Sequence, residues 1–474
     1  MNLILKNALY LFASNVIVRL FTVLASILVA RYLGATDYGI LSIGLAFSSI
    51  AGYFTDMGLS HTFIREATRD EKVDLANLVG GHFKLRIIFA FIVSVFLYII
   101  VEQLYKDLYI KKIIYLMAYP TIIGTSLQGV GAIYFQAIQQ MHYTAYIRSL
   151  SGIVTAATLI LGLIFKWPLI LLAPVYGFSS VIGGVFSIFL LSKKVCLFHG
   201  WNTNLLQGLF SYTFNGFLFM MLPQIPPIIL EKVTSIEEVG YFSAAYKIPS
   251  TLYQIPGVIA AAFYPVLFRY GSNKQEKKHE QINILQLKLM STLGICMFIP
   301  FFLYSDWWTI LIFGDSWGSV NKLLAILSSI VLLQSLSYPL ADALTTKGHQ
   351  NKRVLVMSVG FMIAVFLYYF LGSQFGAIGG AVTAVAVELI ILIGFTIFLK
   401  RGHILLRRAI TVNMLLLVFI LFIGKLISVY IYPFIGTFIF IFLFILLTLF
   451  FDTDIRFAIT KYFKNHYKKT RGAS

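Results

Sequence analysis

Long apolar segments separated by short polar stretches are the feature of this 474-residue chain that most restricts its fold. Hydrophobic residues make up 59% of the chain, charged residues make up only 12%, and the mean hydropathy is +0.86. A soluble domain averages about 45–50% apolar and about 25% charged residues. No polar stretch is long enough for a soluble catalytic domain. The sequence therefore predicts an all-α polytopic membrane protein whose work is done within the membrane.

The apolar runs predict about 12–14 transmembrane helices, with fourteen as the preferred count. The predicted limits are 8–30, 38–60, 85–101, 113–136, 147–165, 168–191, 206–230, 240–268, 284–304, 320–340, 353–372, 376–399, 409–430 and 431–451. The first run is longer than the apolar part of a signal peptide, so we expect a retained span. The predicted organisation is an N-terminal lobe of six spans at 1–200, a C-terminal lobe of six spans at 201–400, two extra spans at 401–451 and a basic cytoplasmic tail at 452–474.

The net charge of +18 follows the topology. Lysine and arginine are concentrated at the N-terminus, in the even-numbered loops and in the tail. The odd-numbered loops carry only Arg31, Lys106, Lys111, Lys112, Lys166 and Lys232. By the positive-inside rule both termini are cytoplasmic and the protein lies in the cell membrane. The bilayer, and not a nucleic acid, is therefore the expected partner of this charge.

A weak internal repeat relates the two halves of the chain. Residues 31–42 read RYLGATDYGILS and residues 232–243 read KVTSIEEVGYFS, so that Gly39 matches Gly240. The two copies are six spans apart, which preserves orientation and predicts a parallel repeat with a binding site between the halves. Alternatively, an acidic residue followed by glycine is ordinary chemistry for the start of a helix.

Polar residues form stripes at helical spacing on several predicted spans. The stripes include Asn15, Arg19, Thr22 and Ser26 on span 1, Ser42, Ser49, Tyr53, Asp56 and Ser60 on span 2, Ser243, Lys247, Ser250, Gln254 and Gly257 on span 8, and Ser328, Ser335, Tyr338 and Asp342 on span 10. Residues three or four apart share one face of a helix, so the stripes predict one hydrated cavity. For serine and threonine alone, helix packing is the better interpretation.

Arg19 and Lys247 are cations at membrane depth in opposite halves of the repeat. Such charges are costly and usually face a cavity or a partner, and a pair of cations suits an anionic substrate such as a phosphate. An ion pair of Arg19 with Asp56 is the alternative. Asp56 lies near the predicted cytoplasmic end of its span, and a gate, cap or ion-coupling role is open for it.

The remaining predicted site residues are polar or acidic. Asn15, Thr22, Tyr53 and Gln254 are candidates for polar contacts with the substrate in the cavity. Asp342 has the same open roles as Asp56, and Glu388 is the deepest acid of the second half and a candidate proton site.

Enzyme motifs are sparse, so we expect neither an enzyme nor a cofactor or metal. The chain has two cysteines and no cluster of cysteine and histidine. Residues 451–456 read FDTDIR, and their Asp-x-Asp pattern also occurs where a metal and a sugar nucleotide bind. A cap for the helix of the tail is the favoured interpretation of this pattern.

Four stretches give the sequence a family resemblance. Residues 7–42, FTDMGLSHTFIREATRD at 54–70, EEVGYFSAAYKIP at 237–249 and LTTKGHQNKR at 344–353 resemble the polysaccharide (O-antigen, Wzx-type) flippases, which belong to the multidrug/oligosaccharidyl-lipid/polysaccharide (MOP) superfamily. The resemblance implies two six-helix lobes around a central cavity and two further helices. It also implies alternating access that moves a lipid-linked oligosaccharide, carried on polyprenyl pyrophosphate, across the cytoplasmic membrane.

The same resemblance implies that Arg19 and Lys247 contact the phosphates of the lipid. A glycan polymerase or other export machinery is a further expected partner. Two alternatives stay open: a cation-coupled multidrug extruder of the same superfamily, and a membrane glycosyltransferase or glycan polymerase.

Overall fold

The computed structural model of this protein describes residues 2–69 and 74–456, with side chains for 21–69, 74–209, 213 and 216–456. Every regular element in this described part is a helix, which confirms the predicted all-α class. The chain divides into two compact units, Met1–Ser243 and Ala244–Ser474. The predicted division into lobes at 200/201 stays a prediction.

The first unit contains α1 (Asn2–Phe54), α2 (Leu59–Ala67), α3 (Leu75–Leu104), α4 (Leu108–Ala137), α5 (Met141–Ile164), α6 (Leu169–Ser192), α7 (Leu209–Met221), α8 (Ile225–Val233) and the start of α9 (Ile236–Leu252). The second unit contains the rest of α9, α10 (Gln254–Ser272), α11 (Glu276–Leu303), α12 (Ser305–Phe313), α13 (Val320–Thr346), α14 (Gln350–Phe398), α15 (Gly402–Ile427) and α16 (Pro433–Phe451).

Within the described residues, eleven helical stretches are long and apolar enough to cross a membrane. Two of these stretches contain a break at a glycine with positive φ, Gly34 (φ 78°) in α1 and Gly376 (φ 56°) in α14. Only glycine adopts such a conformation at little cost. The eleven stretches become fourteen spans if α1 and α14 are each counted as two spans and α7 with α8 is added as one. This division into fourteen spans remains our prediction.

Close helix packing in the first unit depends on small residues. Ser151 of α5 occupies the space where Gly183 of α6 lacks a side chain, and Ser187 of α6 does the same for Gly131 of α4. Without a hydrophobic driving force between helices in lipid, such close approach supplies van der Waals contact. These contacts fix α6 against α4 and α5.

Large apolar side chains form the core of the second unit where α11, α15 and α16 meet. The buried members of this cluster are Ile295, Phe298, Ile299, Tyr304, Leu417, Ile420, Phe440 and Phe444. Aromatic and branched side chains from three helices therefore hold the last two spans against α11.

Candidate functional site

The predicted phosphate-binding residues lie on α1 and α9. The side chains of Asn15 and Arg19 fall outside the described residues, and Thr22 is half-buried. Lys247 is half-buried as well. The roles predicted for these four residues are therefore untested and stay predictions.

The end of α9 is shaped by hydroxyl groups that bond back to the helix. The Lys247 carbonyl oxygen accepts hydrogen bonds from Ser250 Oγ at 2.9 Å and from Thr251 Oγ1 at 2.7 Å. Gln254 Nε2, at the start of α10, donates to the Ser250 carbonyl oxygen at 2.8 Å. Such bonds compete with the helical ladder and bend a helix. They precede the break at Tyr253, where α9 gives way to α10.

Asp56 forms an ion pair with Arg86 of α3. Ser60 Oγ donates to the same carboxylate at 2.5 Å, and Arg86 Nη1 donates to the Thr125 carbonyl oxygen at 3.0 Å. Arg86 is only 4% exposed, so it is a buried helical residue.

Arg86 is the partner that the structure gives to Asp56 among the described side chains. The alternative pairing of Asp56 with Arg19 stays untested, because the Arg19 side chain falls outside the described residues. Arg86 lies well inside α3 and is buried against this acid. The predicted third span starts close to Arg86 because a charged residue lowers the local mean hydropathy, even where an ion pair neutralises its charge. The gate or coupling role of Asp56 stays a prediction.

The turn after α1 contacts the start of α7. Tyr53 Oη donates to the Thr213 carbonyl oxygen at 2.7 Å, and Thr213 Oγ1 donates to the Met57 carbonyl oxygen at 2.6 Å. Met57 (φ 40°) and Gly58 (φ 80°) are left-handed and turn the chain into α2. Tyr53, a predicted polar contact of the cavity, is thus used for a backbone contact here.

Helix α2 contacts the linker around residues 204–207, which lies between the two copies of the predicted repeat. Arg65 Nη1 donates to the Gln207 carbonyl oxygen at 2.8 Å, and its Nη2 donates to that of Asn204 at 3.0 Å. Arg65 Nε also pairs with the buried Glu66 at 2.8 Å. The Arg-Glu pair that follows Asp-x-Gly in the sequence therefore holds this linker in place.

The two predicted acids of the second unit, Asp342 and Glu388, have amide partners. Gln286 Nε2 donates to Asp342 Oδ2 at 3.2 Å, where Asp342 is only 8% exposed. Gln334 Nε2 donates to Glu388 Oε1 at 2.5 Å, and Tyr368 lies within electrostatic reach of Glu388. The hydrogen-bond partner shown for each of these two acids is an amide, whereas Asp56 is paired with an arginine. The gate and coupling roles of both acids stay predictions.

The Asp-x-Asp pattern at the end of α16 is occupied by a lysine. Lys288 Nζ of α11 lies 2.8 Å from Asp452 and 2.8 Å from Asp454. Asp452 Oδ1 also accepts from the backbone nitrogens of Asp454 at 3.0 Å and Ile455 at 3.2 Å, which is a helix cap as expected. Lys288 is buried within its helix.

The two glycines of the repeat meet in a helix crossing within the first unit. A Cβ on Gly39 would overlap the Ile236 carbonyl oxygen and lie 3.1 Å from the Gly240 nitrogen. A Cβ on Gly240 would overlap the Ala35 carbonyl oxygen and lie 2.7 Å from its carbon. Ala35 and Ile236 occupy the same position in the two copies. The glycine of each copy therefore contacts the residue four positions before the glycine of the other copy.

Sequence reasoning missed the partners of these groups, namely Arg86, Gln286, Lys288 and Gln334. A signal existed for the two cations, because both stand beside or inside an apolar run where an unpaired charge is costly. No comparable signal exists for the two glutamines, because an uncharged amide is tolerated on many helix faces.

The comparisons with known proteins agree with this architecture. Residues 4–271 match the polysaccharide biosynthesis protein family. A protein of Shigella flexneri described as "Putative O-antigen transporter" is 23% identical over 408 residues, which cover 80% of this chain and 94% of that protein.

Two solved structures share the fold. The lipid II flippase MurJ in an inward closed conformation has a TM-score of 0.72 at 15% identity and covers 95% of this chain and 99% of its own. An inward-facing multidrug resistance MATE family transporter of the MOP superfamily has a TM-score of 0.70 at 14% identity, with coverage of 82% and 98%. Together with the sequence match, these findings confirm the predicted relationship to Wzx-type flippases, and the chain belongs to the polysaccharide biosynthesis protein family.

Proposed function

We propose that this protein is a flippase that moves a polyprenyl-pyrophosphate-linked oligosaccharide across the cytoplasmic membrane by alternating access. The head group crosses through the protein while the polyprenyl chain stays in the lipid. Arg19 and Lys247 attract the pyrophosphate, because guanidinium and ammonium groups are strong partners for phosphate oxygens. Asn15, Thr22, Tyr53 and Gln254 supply polar contacts to the glycan or the phosphate.

The observation that carries this proposal is the crossing of Gly39 and Gly240. Alternating access in proteins with repeats is a movement of one repeat against the other. The crossing brings equivalent backbone positions of the two copies together at the predicted external ends of their helices. Backbone atoms and the methyl carbon Cγ2 of Ile236 make this contact, and van der Waals contacts of this kind can separate and form again.

Export in a complementation assay tests the cationic site. We expect Arg19→Ala and Lys247→Ala each to abolish export of the glycan while the protein still inserts into the membrane. Lys425→Ala is the matched control, since Lys425 is an exposed lysine near the end of α15. Wild-type export by both variants at equal membrane amounts would contradict the role of the cations.

Glu388 is the proposed site of proton coupling. The amide of Gln334 carries no charge, and burial favours the protonated form of a carboxyl group, so the Glu388 carboxyl is a candidate for proton exchange. We expect Glu388→Gln to insert normally and to lose the dependence of transport on a proton gradient. Transport that keeps the same dependence in this variant would exclude Glu388 as the coupling residue.

A cation-coupled multidrug extruder is the alternative function, since a multidrug resistance transporter shares the fold. Such a protein needs an acidic cavity for organic cations, whereas the two predicted mid-depth residues are basic. Drug susceptibility of cells with and without the protein separates the two functions. A membrane glycosyltransferase that uses Asp452 and Asp454 is disfavoured because Lys288 pairs with both.

A further inference from the structure

The outward side of α6 carries an apolar groove in the first compact unit. The groove has a volume of about 590 Å³, and Leu150 of α5 forms its other wall. The lining residues from α6 are Phe178, Val181, Ile182, Val185, Phe186 and Phe189. They recur every three or four residues, so they form one stripe about 16 Å long on a single face of the helix.

The walls of this groove are held rigidly from behind. On the buried side of α6, Gly183 contacts Ser151 of α5, and Ser179 Oγ forms a hydrogen bond of 2.8 Å with Thr155 Oγ1. The exposed lining side chains are Phe178, Ile182, Val185 and Phe189, and Val185 is 57% exposed. The contacts on the buried side therefore fix the two helices that carry the groove against each other.

A lysine stands at one end of the stripe. Lys193 follows α6 directly and lies four residues after Phe189, on the same face of the helix. Its Nζ is 4.1 Å from the centre of the Phe189 ring, so the cation sits on the last lining residue. Lys194 adds a second positive charge, and the sequence from 141 to 194 contains no aspartate or glutamate. The groove is thus apolar along its length and positive at its mouth.

We propose that this groove binds one polyprenyl chain of the anionic lipid carrier and that Lys193 holds its phosphate. An apolar groove alone does not distinguish one lipid from another in a bilayer, because lipid tails are as apolar as the protein surface. The cation aligned with the stripe adds selection for a chain that ends in a phosphate. A groove one helix face wide fits a single chain, whereas a phospholipid brings two.

The inference rests on the proposed function, which supplies a polyprenyl carrier. In the predicted orientation Lys193 is at the cytoplasmic side, where the carrier's phosphate stands before transport. The groove thus retains the carrier beside the protein on the side where the head group is loaded.

Photo-crosslinking in nanodiscs tests the groove without any transport step. A benzophenone amino acid replaces Val185, and the probe is radiolabelled polyprenyl phosphate without a glycan. The control position is Phe366 of α14, which is 65% exposed and faces the membrane outside this groove. Unlabelled polyprenyl phosphate and phosphatidylglycerol serve as competitors, and Ile182→Trp and Lys193→Glu are the test variants.

We expect saturable labelling at position 185 that polyprenyl phosphate displaces and phosphatidylglycerol does not. Ile182→Trp should fill the groove and abolish the labelling. Lys193→Glu should lower the apparent affinity for polyprenyl phosphate at least fivefold, as expected when a basic residue beside an anionic lipid is replaced. Equal labelling at 185 and 366, or equal displacement by phosphatidylglycerol, overturns the inference. Labelling that persists while the wild type fails to transport any lipid-linked glycan would overturn the proposed function and leave the groove standing.

Discussion

Replacing Gly39 with valine is expected to disfavour the crossing between α1 and α9. The new Cβ would meet the Ile236 carbonyl oxygen and the Gly240 nitrogen, which are backbone atoms and cannot rotate away. Overpacking of this kind costs about 1–3 kcal/mol. If about 2 kcal/mol falls on the crossed state alone, its population relative to a separated state drops about thirtyfold, because 1.4 kcal/mol corresponds to a factor of ten.

The accessibility of a cysteine at position 42 measures this change. Ser42 lies one turn beyond Gly39 in α1 and is only 8% exposed. In a background with Cys196 and Cys296 replaced by serine, Ser42→Cys is treated with a membrane-impermeant maleimide on intact cells. We expect labelling at least tenfold faster with Gly39→Val than without it, together with a loss of glycan export.

The control is Gly318→Ala, because the nearest atom to a Cβ at Gly318 is the Asp315 carbonyl oxygen at 3.9 Å. This variant should leave both labelling and export unchanged. Unchanged labelling of Ser42→Cys in the Gly39→Val protein, at equal membrane amount and equal thermal stability, would refute the view that the crossing shields position 42.

Three further substitutions test the contacts of the described helices. Arg86→Met should lower the stability of the purified protein by about 3–5 kcal/mol, because it leaves Asp56 without its cation. The double variant Arg86→Met, Asp56→Asn should lose less stability, and an equal or larger drop in its melting temperature would contradict this pairing. Lys288→Met should likewise lower the melting temperature, whereas Asp454→Asn, whose side chain is 68% exposed, should leave both stability and export nearly intact; loss of export on Asp454→Asn alone would revive the glycosyltransferase hypothesis. Arg65→Ala should make the linker around residues 204–207 more sensitive to limited proteolysis, and an unchanged cleavage rate would show that its carbonyl contacts do not hold the linker.

The helical class followed from hydropathy, because a bilayer permits few backbone arrangements other than the helix. The repeat was also visible, and its glycines are the residues that meet in the structure. Local sequence was sufficient for these features, because a run of apolar residues, or a glycine that follows an acidic residue, can be recognised without knowledge of the fold.

Partners of charged groups could not be predicted in the same way. The pairing of Asp56 with Arg86 joins α3 to the turn after α1, and that of Lys288 with Asp452 joins residues far apart in the chain. Spacing along one helix carries no information about which neighbouring helix packs against it. Gln334 beside Glu388 is a similar case, because the amide becomes informative only once the two helices are placed together.

The most direct measurement of the central claim is transport in proteoliposomes. Purified protein is reconstituted with a fluorescent oligosaccharide linked to polyprenyl pyrophosphate, and an impermeant quencher reports how much of the label remains in the outer leaflet. We predict that the wild type and Lys425→Ala move the lipid and that the Arg19→Ala, Lys247→Ala double variant does not. Equal movement by the double variant, or no movement by the wild type, would contradict the account.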